Sequence, residues 1–557
     1  MQHHARRAPL WLIVPLVLCA CIAGSPAGSN PTLAESLTMN IFEPLTLDPA
    51  RNTTAGEDYL DLMVFEPLLS YDAHTMKPIP AAAQDLPNLS ADGRRYTLTL
   101  RQGLVYSDGS PVLARDFAYG WSRVCDPVVG SRFSPLAFVI IGCEAWNQLD
   151  PVKVDPSKLK AARDRFFSEG VVPLSDRVLE FNLTRSAPYF PSILAMWLGA
   201  PVRESDVARG GEDWTEPATF VGNGPFVLSE WKRGEHMVFT ANPRHRIPPK
   251  VKRWTMITGA DRSQALSSYR SGRADVHILD PLRGEAAADP TLKDQLVVHG
   301  NNCFGAVRFN VARAPLDDPN LRLALAKSFD RAAFVRDVMH VGMPALSIIP
   351  PGMPGYDPAD DAQAFDPVVA RELFASSRYG TTTNPAPIEF AVPSQGAFVG
   401  FMQTFAGWFR DQWRSNLGLE IVLKPEDQAT SDESKKTLKT RALLSYLEYC
   451  PSNADQNGYL SRLAESKSNG PIARWGYTSM AFDELIHAAD STSEVDRRER
   501  FYTQASRLLS HDAPLAFIWY PVTAYLRKPW VRGITDSPLD TYPGMFDLTS
   551  IYATSHN

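Results

Sequence analysis

The sequence predicts an α/β protein of two lobes, each a mixed sheet flanked by helices. Three observations lead there. A chain of 557 residues, 44% of them hydrophobic and 10% aromatic, exceeds what one hydrophobic core organises and divides into at least two units. Strand, turn and helix patterns alternate along its length, as in layered α/β architectures. Beyond residue 300 the same grammar begins again, which marks the start of a second lobe.

The first element along the chain is a targeting segment. His3, His4, Arg6 and Arg7 give a basic start, followed by an apolar run over residues 9–18. That run is far short of the ~20 residues a membrane helix needs, so residues 1–20 read as a cleaved secretion signal. Leu18-Cys19-Ala20-Cys21 resembles the bacterial lipobox, in which a small residue precedes a cysteine that is lipidated and becomes the first mature residue, here Cys21. Ordinary cleavage after Ala23 or Ala27 is the alternative. Residues 21–31, with their Gly, Ser and Pro, suit a flexible tether.

Residues 37–47 are short and extended, and residues 96–100 alternate apolar and polar side chains as a half-buried strand does. Asp108-Gly109-Ser110-Pro111 is strong turn chemistry, and a helix is expected over 113–123. Gly222-Asn223-Gly224-Pro225 breaks the chain before a hairpin that Asn242-Pro243 closes; the proline and the lack of a helix start make it a turn, not an anion cradle. A helix over 263–271 leads into an apolar strand at 276–279. In the second lobe we expect a strand at 305–310, helices at 319–329, 331–340 and 367–376, and a strand at 387–392. A long aromatic helix at 398–417, a strand at 419–423 and a last clear helix at 496–509 complete it.

The chemistry-bearing residues exclude more than they propose. With 56 Lys and Arg against 62 Asp and Glu, the net charge of -6 and the absence of a basic block disfavour nucleic acid as a partner. No metalloprotease, nucleophile-elbow, phosphate-loop or dinucleotide-binding motif occurs, so the sequence offers no catalytic residues, no cofactor and no metal centre; His236 and His245 have poor ligand spacing. Tyr446, Tyr449, Trp475 and Tyr477, clustered in an irregular segment, are candidates to line a pocket. Without Cys19 and Cys21 four cysteines remain: Cys125 and Cys143 are 18 positions apart, and Cys303 and Cys450 are a distant pair. Local pairing is simplest, but four cysteines permit three connectivities, and four reduced, buried thiols are the alternative.

Several segments carry a family resemblance. Tyr96-Thr97-Leu98-Thr99-Leu100-Arg101-Gln102-Gly103, then Tyr106-Ser107-Asp108-Gly109-Ser110-Pro111-Val112 and Asp116-Phe117, are similar to the signature of the peptide/nickel-binding family 5 of extracellular solute-binding proteins. Gly222-Asn223-Gly224-Pro225-Phe226, residues 269–275 and Phe309-Asn310 through Asp330-Arg331 agree with it. Gly211-Glu212-Asp213-Trp214-Thr215-Glu216-Pro217 and the tail from Leu526 resemble its oligopeptide-binding members most.

The resemblance implies a periplasmic-binding-protein fold of class II type with a hinge between its lobes. Residues 32–300 would form lobe I, with an inserted subdomain near 77–205; 301–523 lobe II; and 524–557 a return to lobe I. It implies a monomeric receptor, not an enzyme, lipid-anchored in the periplasm or on the outer face of the cytoplasmic membrane. Such a receptor takes up short peptides and delivers them to the permease subunits of an ABC importer. A non-peptide solute, such as a sugar or a metal chelate, or a secreted hydrolase are the alternatives. The family's amine-anchoring carboxylate falls on Glu448, in the segment from Arg441 through Tyr449, with Asp455 a rival; Glu43 to Thr46 matches a strand lining the cleft. Where relatives place cations for the ligand carboxylate, this chain has Met339 and a residue near Phe398, with His340 as a substitute. A bridge between Cys303 and Cys450 is implied, leaving Cys125 to pair with Cys143.

Overall fold

The computed structural model describes residues 33–555 except 260, 280–288, 381–386, 397–398 and 469. Residues 1–20, expected to be a secretion signal, Cys21 and Phe398 lie outside the described residues. Two mixed sheets dominate. A seven-stranded sheet runs, edge to edge, Leu296–Gly300, Val522–Arg527, Val276–Ile278, Ser36–Asn40, Arg253–Ile257, His236–Ala241 and Phe226–Lys232. Ser36–Asn40 lies at its centre, parallel to both neighbours, and the flanking pairs are antiparallel. The expected hairpin is there, pairing Phe226–Lys232 with His236–Ala241 about a turn in which Gly234 takes φ +74.

A six-stranded sheet runs Met343–Pro344, Leu515–Tyr520, Phe304–Phe309, Leu444–Tyr449, Ile388–Pro393 and Ile421–Glu426. Its core is aromatic. Phe405, Phe409 and Trp413 on helix Val399–Leu417 pack edge-on against Phe329, Phe334 and Phe390, so this helix buries its rings in the sheet rather than offering them to a ligand. The chain passes between the two sheets twice, from Gly300 to Phe304 and from Tyr520 to Val522, and the crossings touch where Asn301 N–H donates to the Pro521 carbonyl. The return strand thus starts at Val522, slightly ahead of the expected residue 524.

Between the early strands lies a smaller antiparallel sheet, Asn88–Leu89, Arg95–Thr99, Val178–Asn182 and Val171–Pro173. In Arg95–Thr99 the inward residues are Tyr96 and Leu98, as the period-two pattern requires. Helix Ala114–Cys125 buries Phe117 and Trp121 beneath it, and Asp116 at its start accepts the Leu113 N–H. Disulfides join Cys125 to Cys143 and Cys303 to Cys450. Helices Met480–Ser491 and Val495–Asp512 form a hairpin whose second arm packs against helix Pro319–Lys327; the first, capped by Ser479, is not among the elements expected from sequence.

Candidate ligand-binding site

Strand Leu444–Tyr449 organises the candidate site because it is central in its sheet and ends beside the first crossing. Residues two apart share a face, so Tyr446 and Glu448 stand together, opposite Gly305 of the neighbouring strand. Tyr446 donates to Glu448 Oε2 at 2.8 Å and accepts from Trp519 Nε1 at 3.3 Å. Burial, then the adjacent carboxylate, pushes the Tyr446 hydroxyl far above its ordinary pKa, so it stays protonated and orients Glu448. A Cβ on Gly305 would meet Trp519 Nε1 at 2.2 Å, so only glycine admits this ring. The Glu448 carboxylate lies within 4.8 Å of both sulfurs of the Cys303–Cys450 bridge.

Two cavities lie near this strand, and Glu448 is not among the residues lining either. One, of 970 Å³, opens where the parallel strands Ile388–Pro393 and Ile421–Glu426 end, the usual place for a ligand in such a sheet. Arg308, Arg441, Arg474, Tyr446 and Trp475 line it. A second, of 240 Å³, lies between the crossings and the first sheet's helices: Asn302, Cys450 and Ser452 face Asp58, Arg132 and Thr541. Burial raises the Asp58 carboxyl well above the usual range, although Tyr59 N–H and Thr541 donate to it. Sequence reasoning alone misses Asp58, Arg132, Arg308 and Arg474. Only Arg308 leaves a signal, as a lone charge in the apolar run Phe304-Gly305-Ala306-Val307-Arg308-Phe309.

The other expected residues divide. Arg441 lines the larger cavity, and its guanidinium also reaches the carbonyls of Arg474 and Lys435. Tyr449 donates to the Gly458 carbonyl at 3.2 Å and packs on Phe304. Asp455 receives two hydrogen bonds, of 2.6 and 3.0 Å, from Arg498 and caps helix Gln456–Tyr459. His340 is exposed at the end of its helix, its Nδ1 bonds the Arg336 carbonyl, and, like Glu448 and Asp455, it is not among the residues lining either cavity.

Glu43 and Thr46 do not lie in a strand, because the strand stops at Asn40 and side chains hold the backbone beyond it. Glu43 accepts from Trp231 Nε1 at 2.8 Å and Gly234 N–H at 3.3 Å; Thr46 accepts from Asp48 N–H; Glu57 takes the Leu45 N–H. Phe42 and Leu45 are left 71% exposed in this segment. Of the four clustered aromatics, Tyr446 and Trp475 line the larger cavity, whereas Tyr477 is buried against Asp512.

Residues 77–471 match the family described as bacterial extracellular solute-binding proteins, family 5 Middle. Among curated proteins, the probable deoxycholate-binding periplasmic protein YgiS of Escherichia coli is 27% identical over 533 residues, 94% of this chain and 95% of that one. The periplasmic oligopeptide-binding protein OppA of Salmonella typhimurium is 28% identical over 553 residues, 95% of this chain and 96% of that one. Among solved structures, the unliganded open form of the murein tripeptide-binding protein MppA superposes with a TM-score of 0.78 at 24% identity, covering 95% of this chain and 99% of that one.

Proposed function

The chain belongs to the bacterial extracellular solute-binding proteins of family 5, and from that premise we propose that it captures short peptides between its lobes and delivers them to the permease of an ABC importer. The observation that carries this reading is Glu448, held by Tyr446 at the end of a central strand beside the interlobe crossing, where a carboxylate receives a free amine. The oligopeptide- and murein-peptide-binding relatives support it. In this reading lobe I comprises residues 32–300, with an inserted subdomain near 77–205, and the tail from the return strand that starts at Val522, and lobe II lies between them. The protein works as a monomer outside the cytoplasmic membrane, anchored through lipid on Cys21.

A second reading, an amphipathic non-peptide solute, is favoured by the exposed Phe42 and Leu45 and by the deoxycholate-binding relative. Thermal unfolding with short peptides and with deoxycholate decides between the two. A ligand at 100 times its Kd adds about 2.7 kcal/mol of stability. We expect that gain from peptides; a gain from deoxycholate alone establishes the second reading, and a gain from neither defeats both.

A further inference from the structure

We propose that His299, Asp536 and Asp540 form a binding site for one divalent transition-metal ion, zinc before others. Their donor atoms lie within 4.8 Å of one another, and none of the three residues lines either cavity described above. The inference goes beyond the receptor reading and does not rest on it.

The fold brings these residues together from distant parts of the chain, which is why no spacing motif announces them. His299 sits on the edge strand Leu296–Gly300, whose one neighbour in the sheet is Val522–Arg527. It is opposite Thr523, so Tyr525, two positions on, shares its face, and the two rings meet edge-on at 6.3 Å. The Tyr525 hydroxyl donates to Asp536 Oδ1 at 2.9 Å. Four residues further along the tail, Asp540 accepts from the Ser537 hydroxyl at 2.7 Å and from the N–H groups of Ser537 and Gly544 at 2.9 and 3.2 Å. Both carboxylates are thus oriented by neighbouring donors, as ligating carboxylates are at metal centres.

These hydrogen bonds orient the oxygens but leave the charge unmatched. Among the described residues neither carboxylate forms an ion pair with a lysine or an arginine, and the charge acting on Asp540 is that of Asp536, a second carboxylate. The basic group within reach is His299, whose Nε2 is 3.8 Å from Asp536 Oδ1, too far for a hydrogen bond. Its Nδ1 lies 3.0 Å from the Gly300 carbonyl oxygen, which can only accept, so Nδ1 carries the proton and Nε2 presents a lone pair. That Nε2 is buried and has no hydrogen-bond partner. One cation removes both deficits, taking the lone pair and matching the carboxylates.

The donor set selects the class of ion. Metal–ligand bonds of about 2.0–2.2 Å hold two donors about 3–4 Å apart around one ion, so the 3.8 Å separation calls for little movement. An imidazole with two carboxylates suits zinc, whereas calcium and magnesium favour shells of oxygen alone. Three protein ligands leave zinc a fourth position for water, and Asp536, with 27% of its side chain exposed, stands at the entrance.

The test uses the mature chain without an affinity tag, stripped of metal by a chelator and then titrated with zinc, calcium or magnesium chloride by calorimetry. Wild type, His299→Ala and Asp536→Asn are compared, with circular dichroism confirming folding and cobalt(II) serving as a spectroscopic probe. We expect saturable binding of one zinc per chain, with calcium and magnesium weaker by at least about tenfold. Each substitution should weaken zinc by about tenfold or more, and His299→Ala should abolish the visible absorption of the cobalt form. Zinc should also raise the melting temperature of wild type more than that of either variant. If His299→Ala does not fold, Asp536→Asn, altered at the exposed rim, carries the comparison. No saturable zinc binding makes the cluster an imidazolium–carboxylate pair and overturns the proposal. Zinc binding that both variants leave unchanged, or calcium binding as tight as zinc, overturns it as well.

Discussion

At the scale of single residues, Glu448 and Asp455 are two carboxylates of one segment with different partners. Glu448 is exposed and steered by a tyrosine hydroxyl, whereas Asp455 is closed off by Arg498. Glu448→Gln should therefore weaken tri-leucine binding by about tenfold with little change for the N-acetylated peptide, the size expected for one charge-assisted contact. Asp455→Asn should leave affinity alone and lower stability, on the order of 3 kcal/mol, by stranding a partly buried guanidinium. Calorimetry and thermal unfolding on both variants separate these outcomes; loss of binding in Asp455→Asn but not in Glu448→Gln would reverse the assignment. The sequence leaves the two open because Arg498 is far along the chain. Asp540 gives a pH-dependent prediction. Burial lifts its carboxyl from the ordinary 3.8 to about 7, against hydrogen bonds from Ser537 and Gly544. Its folded pKa lies above its unfolded one, so its contribution to stability is full below about pH 4 and is lost as pH rises towards 7. Wild-type stability relative to Asp540→Asn should fall across that window, and a constant difference would refute the assignment.

At the scale of elements, legibility in the sequence depends on whether one face or both of an element is covered. Arg95–Thr99, with one face in water, alternates and is legible. Leu515–Tyr520 is buried at every position, shows no alternation, and escapes sequence reasoning. The turn Gly222-Asn223-Gly224-Pro225 reads as structural from its residues, and its contacts show why. Asn223 bonds the N–H and carbonyl of Glu66, while both glycines press against backbone at the end of helix Ala55–Val64. A Cβ on Gly224 would lie 2.3 Å from the Val64 carbonyl carbon and 2.4 Å from Phe65 N, atoms that cannot move independently of the helix. Gly224→Ala should therefore cost about 1–3 kcal/mol, the usual penalty of overpacking, with ligand affinity preserved in the folded fraction. Unchanged thermal unfolding would mean that the helix end yields more readily than its packing implies.

At the scale of the whole molecule, the link between lobes is two strands wide. Gly300 pairs with Val522, Asn301 reaches the Pro521 carbonyl, and beyond them Gly305 pairs with Trp519. Pro521 offers no N–H, so the ladder thins where it passes between sheets. The Cys303–Cys450 bridge stands just inside the second lobe, tying the incoming strand to the end of the strand that bears Glu448. The carboxylate is thereby fixed to one lobe, and across the smaller cavity Asn302, Cys450 and Ser452 of that lobe face Asp58, Arg132 and Thr541 of the other. A solute that contacts both sides gains interactions only when the lobes approach, which is the differential affinity that shifts such an equilibrium. Bending is concentrated where few bonds cross, so the motion should be a rigid-body closure about residues 300–304 and 520–522. Small-angle scattering should then show a smaller radius of gyration when a bound solute saturates the protein, with the Cys303–Cys450 bridge intact in both states. Identical scattering curves, with occupancy confirmed by calorimetry on the same sample, would place binding within one lobe and remove the closure mechanism.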